Sequence, residues 1–443
     1  MNNRLKFVLL NAVAISLSLV AIAAKHRSVT PPVMPVVTGP TFSNEVVRIF
    51  QANCQTCHHP GDIAPFSLMT YADAKEHAFE IKANTTARIM PPWKPVLSCG
   101  QFNAPRVLSA EDIATIAKWV NNGAPEGNRA DLPTPIDFSS GWILGDPDLV
   151  VGNPKPFTPP NDRDEYRCFS MATNQTTDRY VSAIDVHPGD RSTVHHVIAF
   201  IDTTGESAAM DKDGSGYQCF GGPGFAITNF ASSTLGGWAP GSRPDKLPDN
   251  VGFLLPANSR IVLQVHYHPH DLTTKADQTQ IAVYYDKVKP AQTMLMLPLV
   301  NQTFTIPPGD ANHPVTASFT NTLFNAHVWI IAPHMHLLGK NMSVNATMKD
   351  GSNACLINIS DWDFNWQGVY RYKEPIALPV GTTVSLLAHY DNSEDNPRNP
   401  NFPPKAVSWG EQTTDEMCIA FIGVTLDGAS PTASSTVSQM GFK

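Results

Sequence analysis

The chain has 443 residues, charged residues make up only 16% of it, and its formal net charge is −8. At about 150 residues per domain this length suits roughly three domains, and 38 Pro with 28 Gly stay below the share that marks a low-complexity chain. The acidic balance leaves no cationic surplus to neutralise phosphates, which argues against nucleic-acid binding, and the same counts exclude a collagen, a coiled coil and a multi-span membrane protein.

In chain order, Arg4 and Lys6 precede an apolar run from Phe7 to Ala24, and Ala21-Ile22-Ala23 offers a small-residue cleavage site. Residues 1–24 are therefore expected to be a secretory signal peptide that sends the chain to the periplasm. Left uncleaved, the run reaches the edge of spanning length, and a retained signal is the only membrane contact expected. Removing residues 1–23 takes away two positive charges and leaves a balance of −10. Residues 25–40 are Pro-rich and aperiodic, which suits a linker.

Residues 41–127 read as a small all-α domain of three short helices. Val46, Val47, Ile49 and Phe50 lead into Cys54. Thr70 and Asp73 have the spacing of a capping box ahead of an alanine-rich stretch to Arg88. Ser109 and Asp112 repeat that spacing, followed by Ile113, Ile116, Ala117 and Val120 on one helical face. Residues 128–165 are rich in Pro, Asp and Asn and read as a second linker.

Beyond Tyr166 the segments are short and β-branched: Arg179–Val186, Thr193–Ile201, Arg260–Tyr267, Gln280–Tyr285, His327–Ile331, Thr382–His389 and Ile419–Leu426. Turn clusters such as Pro188-Gly189-Asp190 and Pro307-Pro308-Gly309-Asp310 separate them. Two all-β domains of β-sandwich or jelly-roll type are expected, over 166–298 and 299–428. Residues 429–443 read as a flexible tail.

Cys54-Gln55-Thr56-Cys57-His58 is the attachment pattern of a c-type haem. Two thiols one turn apart can add to the haem vinyls while the adjacent imidazole ligates iron. A zinc half-site would need two further ligands at similar spacing, and none is nearby. Met90, in a prolyl-stiffened loop after a helix, is the expected sixth ligand. Met69 is its rival and is read as packing; His59 is adjacent to His58 and cannot reach the opposite haem face. The segment resembles a bacterial cytochrome c domain of about 85 residues, which implies one covalently bound haem c and a periplasmic electron donor to it.

The other five cysteines, Cys99, Cys168, Cys219, Cys355 and Cys418, allow at most two disulfides with one thiol left over. Seven of the 15 histidines fall in three strand-like segments: His195-His196, His266-Tyr-His268-Pro-His270 and His334-Met-His336. Alternate residues of a strand share a face, so His334 and His336 can bind one metal together. His195 and His196 point to opposite faces of a regular strand, and a shared metal there needs a bulge or a strand end. Any one such pair is more often a core or surface feature; three on one β region are harder to explain so. Imidazoles suit zinc, copper, iron and nickel, and a thioether selects copper.

Thr193-Val-His-His196, Leu263-Gln-Val-His-Tyr267, His334-x-His-x-Leu-Gly-Lys340 and Asp415-Glu-Met-Cys418 resemble, in order, the motifs of the copper type II, ascorbate-dependent monooxygenases. That is the family of peptidylglycine α-hydroxylating monooxygenase and dopamine β-hydroxylase. Asp164-Glu-Tyr-Arg-Cys168 and Pro248-Asp-Asn-Val-Gly252 add to the likeness, which spans about 166–425. The resemblance implies two copper ions: an electron-transfer copper on His195, His196 and His266, and a dioxygen-binding, catalytic copper on His334, His336 and Met417. His268 competes with His266 on the same strand face. His270, His313, His327 and His389 match no ligand position. The family's disulfide partners of Cys168 and Cys418 have no cysteine here; Cys219 is the candidate for Cys168, and Cys418 either pairs with Cys355 or stays free.

The implied activity is hydroxylation of a C–H bond by O2, with the haem in place of ascorbate. In peptide-hydroxylating relatives an arginine, an asparagine and a tyrosine hold the substrate carboxylate. The matching positions here are Ala332, Ile419 and Phe421, which implies a small, neutral, apolar substrate. The alternative is a periplasmic copper and haem electron carrier, or copper-binding protein, without hydroxylase activity.

Overall fold

The computed structural model describes residues 38–138, 141–227, 230–268 and 274–428. The expected signal peptide, the tail 429–443, His270 and nearly all of the linker 25–40 lie outside the described residues.

The N-terminal part is helical, with a π-turn Phe42–Val46 running into Val47–Asn53, then Tyr71–Glu76, Ala78–Thr86 and Ala110–Asn121. Both capping boxes form: Thr70 and Ser109 accept the amides of Asp73 and Asp112, whose carboxylates accept back from the cap amides. Four helices stand where three were expected, because the alanine-rich stretch breaks at His77. Phe42, Val46, Phe50, Ile116 and Trp119 form a separate core. Burial of each of these side chains contributes about 1.5–3 kcal/mol.

Within the segment expected to be helical, residues 93–103 run along the C-terminal β region, while Met90 and Leu108 on either side stay with the helices. Pro95 bridges to Ile359 and Phe102 to Tyr372. Val96 N–H donates to Asn358 O at 2.8 Å and Asn103 N–H to Arg371 O at 2.7 Å. Trp93 and Phe102 pack edge-on and tilted against Tyr370. A disulfide between Cys99 and Cys355 locks this contact.

Two pairs of sheets follow. In the first, a five-stranded sheet runs Tyr217–Gln218, Glu165–Ala172, Arg260–Tyr267, Val194–Asp202, Thr234–Trp238. The second sheet is ordered Leu149–Gly152, Gln280–Tyr285, Arg179–His187, Val251–Leu255, Gln292–Thr293. Phe169, Val197 and Leu263 of one sheet meet Val181, Ile281 and Val283 of the other. The strand Arg260–Tyr267 is buried along nearly its whole length. One face lies in that core; the other lies under a small cluster of Cys168, Cys219, Phe200 and Val262. That explains its mostly apolar sequence, with Gln264 and His266 as buried polar exceptions. The strand Leu149–Gly152 falls in the segment expected to be a linker, so the first sandwich begins earlier than its β-branched texture suggested.

In the second sandwich a sheet ordered Leu295–Val300, Ile419–Leu426, Ala326–His334, Tyr370–Leu378 faces one ordered His313–Thr320, Thr383–Tyr390, Gly339–Thr347, Asn353–Ile359. Ile331 and Ile422 meet Val344, Ile357 and Leu386 between them. No described helix is long and apolar enough to cross a membrane.

Cys168 pairs with Cys219. The expected option of a Cys355–Cys418 bridge is corrected: Cys355 is taken by Cys99, and Cys418 is a buried thiol. Peptide mapping under non-reducing conditions should recover Cys99 linked to Cys355 and Cys168 linked to Cys219. Cys418 should resist alkylation in the native protein and label in denaturant. A Cys418-containing linked peptide would contradict this pairing.

Candidate metal and haem centres

The helix Val47–Asn53 delivers Cys54 to the rim of a cavity of about 460 Å³ that Cys57, His58 and Met90 also line. Cys54 and Cys57 are unbridged thiols, and burial pushes Cys54 up to about 12. His58 Nδ1 lies 3.0 Å from Phe66 O, which leaves Nε2 for an iron. The ring also packs on Phe66, itself stacked on His77. Met69 does not line the cavity. His59 turns away, with Nδ1 2.8 Å from Gln55 O and its ring stacked on Phe138. Volume, thiols, an oriented imidazole and a thioether together fit a covalently held haem. The far wall belongs to the first β-sandwich: Arg191, Val194, His195 and Arg243.

His195 and His196 sit at the start of the strand Val194–Asp202. Val194 pairs with Tyr267 and His196 with His266, and the register shifts between Val194 and His196. This irregularity supplies the bulge that two consecutive histidines need to face one point. His196 Nδ1 is 3.2 Å from His195 Nδ1 and 3.4 Å from His266 Nδ1. One ring nitrogen from each of the three residues lies within 4.8 Å of the others. Burial, reinforced by the neighbouring imidazoles, pushes His195 and His196 well below the ordinary histidine range. They are therefore neutral, the form that ligates metal.

His266 stacks on Tyr166 with ring centroids 4.2 Å apart, and its Nε2 lies 3.6 Å from Asp164. Burial pushes Asp164 up, but the imidazoles of His266 and His268 outweigh it and hold the carboxyl well below its usual range. His268 is thereby accounted for: its Nδ1 is 2.6 Å from Asp164 Oδ1, and it stays out of the converging triad.

His334 ends the strand Ala326–His334, and His336 follows two residues on. His334 Nδ1 bonds Gln367 Oε1, and His336 Nδ1 lies 3.1 Å from Asp415 O. Both rings are thus oriented through Nδ1, with Nε2 left to ligate. Their centroids are 5.1 Å apart at 89°. Burial brings His334 down to about 4. Met417 is buried just before the strand Ile419–Leu426. Glu416 ties it to the histidines: its carboxylate accepts from the amides of His336 at 2.9 Å, Leu338 at 2.6 Å and Met417 at 3.2 Å. The donor set of two neutral imidazoles and a thioether fits copper better than zinc or a harder ion.

The two sets adjoin, with 5.9 Å between the ring centroids of His196 and His334. Between the sandwiches lies a second cavity of about 480 Å³, lined by His196, His334 and Met417 on one side and by Ala332, Ile419 and Phe421 beside them. Ala332 pairs with Phe421 and His334 with Ile419, so the apolar wall is in register with a ligand. Arg371 at the rim is already held by Asp245 through a 2.6 Å and a 3.0 Å bond.

His313 and His389 bond Asp310 and Asn341, and His327 lies 3.2 Å from Asp427. Sequence reasoning missed the roles of Glu416, Asp164 and Gln367. Glu416 follows Asp415 in a polar run from Glu411, so nothing in the sequence set it apart, and Gln367 lies in an irregular loop.

The chain matches the N-terminal domain of the copper type II ascorbate-dependent monooxygenases over residues 151–274. It matches their C-terminal domain over residues 289–425. It is 28% identical over 297 residues to the peptidylglycine alpha-amidating monooxygenase of Rattus norvegicus, covering 65% of this chain and 27% of that protein. It is 25% identical over 309 residues to peptidyl-glycine alpha-amidating monooxygenase A of Xenopus laevis, covering 67% and 30%. With the DBH-like monooxygenase protein 1 of Homo sapiens it shares 24% identity over 257 residues, covering 54% and 40%. The chain thus spans less than half the length of these relatives. The two matched domains together take in more than half of the chain, which belongs to the copper type II ascorbate-dependent monooxygenase family of oxidoreductases.

Proposed function

We propose that this chain is an exported, periplasmic monooxygenase that hydroxylates a C–H bond of a small, neutral, largely apolar molecule with O2, and that a covalently attached haem c feeds its two coppers. The observation that carries the reading is the position of His195. It belongs to the imidazole triad and also lines the cavity behind Cys54, Cys57 and His58. A single side chain therefore touches both redox sites, and no diffusing reductant is needed between them.

Bound copper would supply one-electron chemistry toward dioxygen, with the Met417 thioether favouring the reduced ion. The haem would supply single electrons at a potential that methionine ligation by Met90 raises. The protein's own part is to orient and to exclude water. Gln367, the Asp415 carbonyl and the Glu416 carboxylate hold His334, His336 and the Met417 backbone in place. His195, His196 and His266 are held neutral by burial, with Asp164 behind His266. Ala332, Ile419 and Phe421 present a wall with no donor for a carboxylate. A carboxylate buried against these three side chains would lose several kcal/mol of hydration, on the order of 2–7, and its cationic partners in the cavity, Arg243 and Arg371, are already bonded to Thr56 and Asp245. Two disulfides suit an oxidising compartment.

Purified protein should carry two coppers and one acid-stable haem per chain. Met417→Ile should leave one copper and abolish substrate-dependent oxygen uptake. Glu416→Gln should weaken the same copper about 10–100-fold, as losing a ligand-orienting partner does, with the other copper retained. Equal loss of both metals in each variant would point to one shared site.

Cys54→Ala with Cys57→Ala should yield a haem-free chain that turns over only when a small reductant is added. Full activity from that variant without a reductant would exclude the haem as donor.

A screen of oxygen uptake should favour neutral hydrophobic compounds over glycine-extended peptides and phenethylamines. Ala332→Arg should lower turnover of the best apolar compound at least about tenfold, by placing an unpaired cation against the wall. Preferred turnover of a carboxylate-terminated peptide would overturn the substrate class, and oxygen uptake with none of them would favour an electron carrier.

A further inference from the structure

Phe364 is buried, at 4% exposure, yet it belongs to the apolar core of neither sandwich. It stands in the loop between the strands Asn353–Ile359 and Tyr370–Leu378 of the second sandwich. Its ring stacks on His195 of the first sandwich, with centroids 4.2 Å apart and 15° between the planes. It meets His336 edge-on at 5.9 Å and His268 at 6.2 Å. The ring therefore sits among imidazoles of both ligand sets. Its loop is fastened to its own sandwich. Trp362 N–H donates to Lys340 O at 2.9 Å, and Arg398 donates to Trp362 O at 2.7 Å. Gln367 Nε2 donates to Phe364 O at 2.9 Å, and Oε1 of the same side chain bonds His334. The second sandwich thus places Phe364, although the imidazole it covers belongs to the first.

A copper held by neutral imidazoles carries one more positive charge as the cupric ion than as the cuprous ion. An apolar shell that keeps water away disfavours the more highly charged form. A benzyl ring laid flat on a ligand imidazole removes water from that face and brings no hydrogen-bonding group in its place. The ionised Asp164, 3.6 Å from His266, pulls the other way and favours the cupric ion. We propose that Phe364 is the positioning residue through which the second sandwich completes the first copper site. It fixes the His195 ring, shields it from water and holds its copper toward the reduced state. This rests on the copper reading of His195, His196 and His266 and adds the residue that tunes it. One loop then conditions both coppers: Gln367 orients His334, and Phe364, three residues earlier, covers His195.

The test is a redox titration of the full-length, copper-loaded chain, followed by the electron paramagnetic resonance of the cupric ions. Wild type is compared with Phe364→Gln, Phe364→Leu and Phe364→Ala, and Met417→Ile shows which signal belongs to the imidazole triad. Gln fills the site with a polar side chain and Leu with an apolar one of comparable size. Phe364→Gln and Phe364→Ala should each change the equilibrium of the triad copper about tenfold toward the cupric form, about 59 mV for one electron. Phe364→Leu should keep most of the wild-type potential. In heavy water, deuterium modulation of the triad signal should grow in the Gln and Ala variants alone. The copper on His334, His336 and Met417 should move less, because Phe364 meets His336 only by its edge. Unchanged potentials in Phe364→Gln and Phe364→Ala, with both coppers bound, would overturn the role of Phe364. So would an equal shift in Phe364→Leu and Phe364→Gln, which is what a purely structural role produces. If Phe364→Ala does not fold, the Leu and Gln variants decide the matter between them. Absence of copper from the triad of the wild type would overturn the copper reading itself.

Discussion

One buried carboxyl group ties together the two turns that carry His336 and Met417. Glu416 is fully buried and accepts from the amides of His336, Leu338 and Met417. Burial pushes it up to about 8, against the pull of those amides. No cation is among its bonds; backbone dipoles do the work that water would do at the surface. The effect is geometric. The turn after the strand Ala326–His334 and the turn before the strand Ile419–Leu426 are fastened to one side chain, 80 residues after His336 in the sequence.

The same loop also reaches the other sandwich. Thr413 N–H donates to Asp164 at 3.0 Å, and Tyr166 O–H donates to Glu411 O at 2.8 Å. Asp164 and Tyr166 are the residues against His266. A chain of contacts therefore runs from the imidazole triad, through residues 411–416, to Met417. The two sets of ligands are close because the loop between them is fastened at both ends.

Legibility in the sequence followed burial. The strands Arg260–Tyr267, Gln280–Tyr285 and Ile419–Leu426 were read with their observed limits because they are rich in apolar and β-branched residues and end at polar turns. Gly339–Thr347 and Tyr370–Leu378 were not read. Lys340, Asn341, Lys373 and Glu374 face out of the sandwich and disguise the alternation. The histidines stood out by their spacing, but the bulge that turns His195 and His196 to one point is a property of pairing with Tyr267 and His266. Nothing local encodes it. Likewise Cys99 and Cys355 carry no mutual signal at a separation of 256 residues, and the run 93–103 became intelligible only with a sheet edge to lie on.

That bridge has a topological consequence. Covalently, the molecule is a ring with two tails. The ring, from Cys99 to Cys355, contains the whole first sandwich and all five histidines of the two ligand sets. One tail carries Cys54, Cys57, His58 and Met90; the other carries Gln367, Glu416 and Met417. A single break in the ring, for instance in the exposed stretch around residues 129–137, opens the circle but frees neither tail. The parts that must stay in register survive as one covalent body, and it takes a second cut or a reductant to part them.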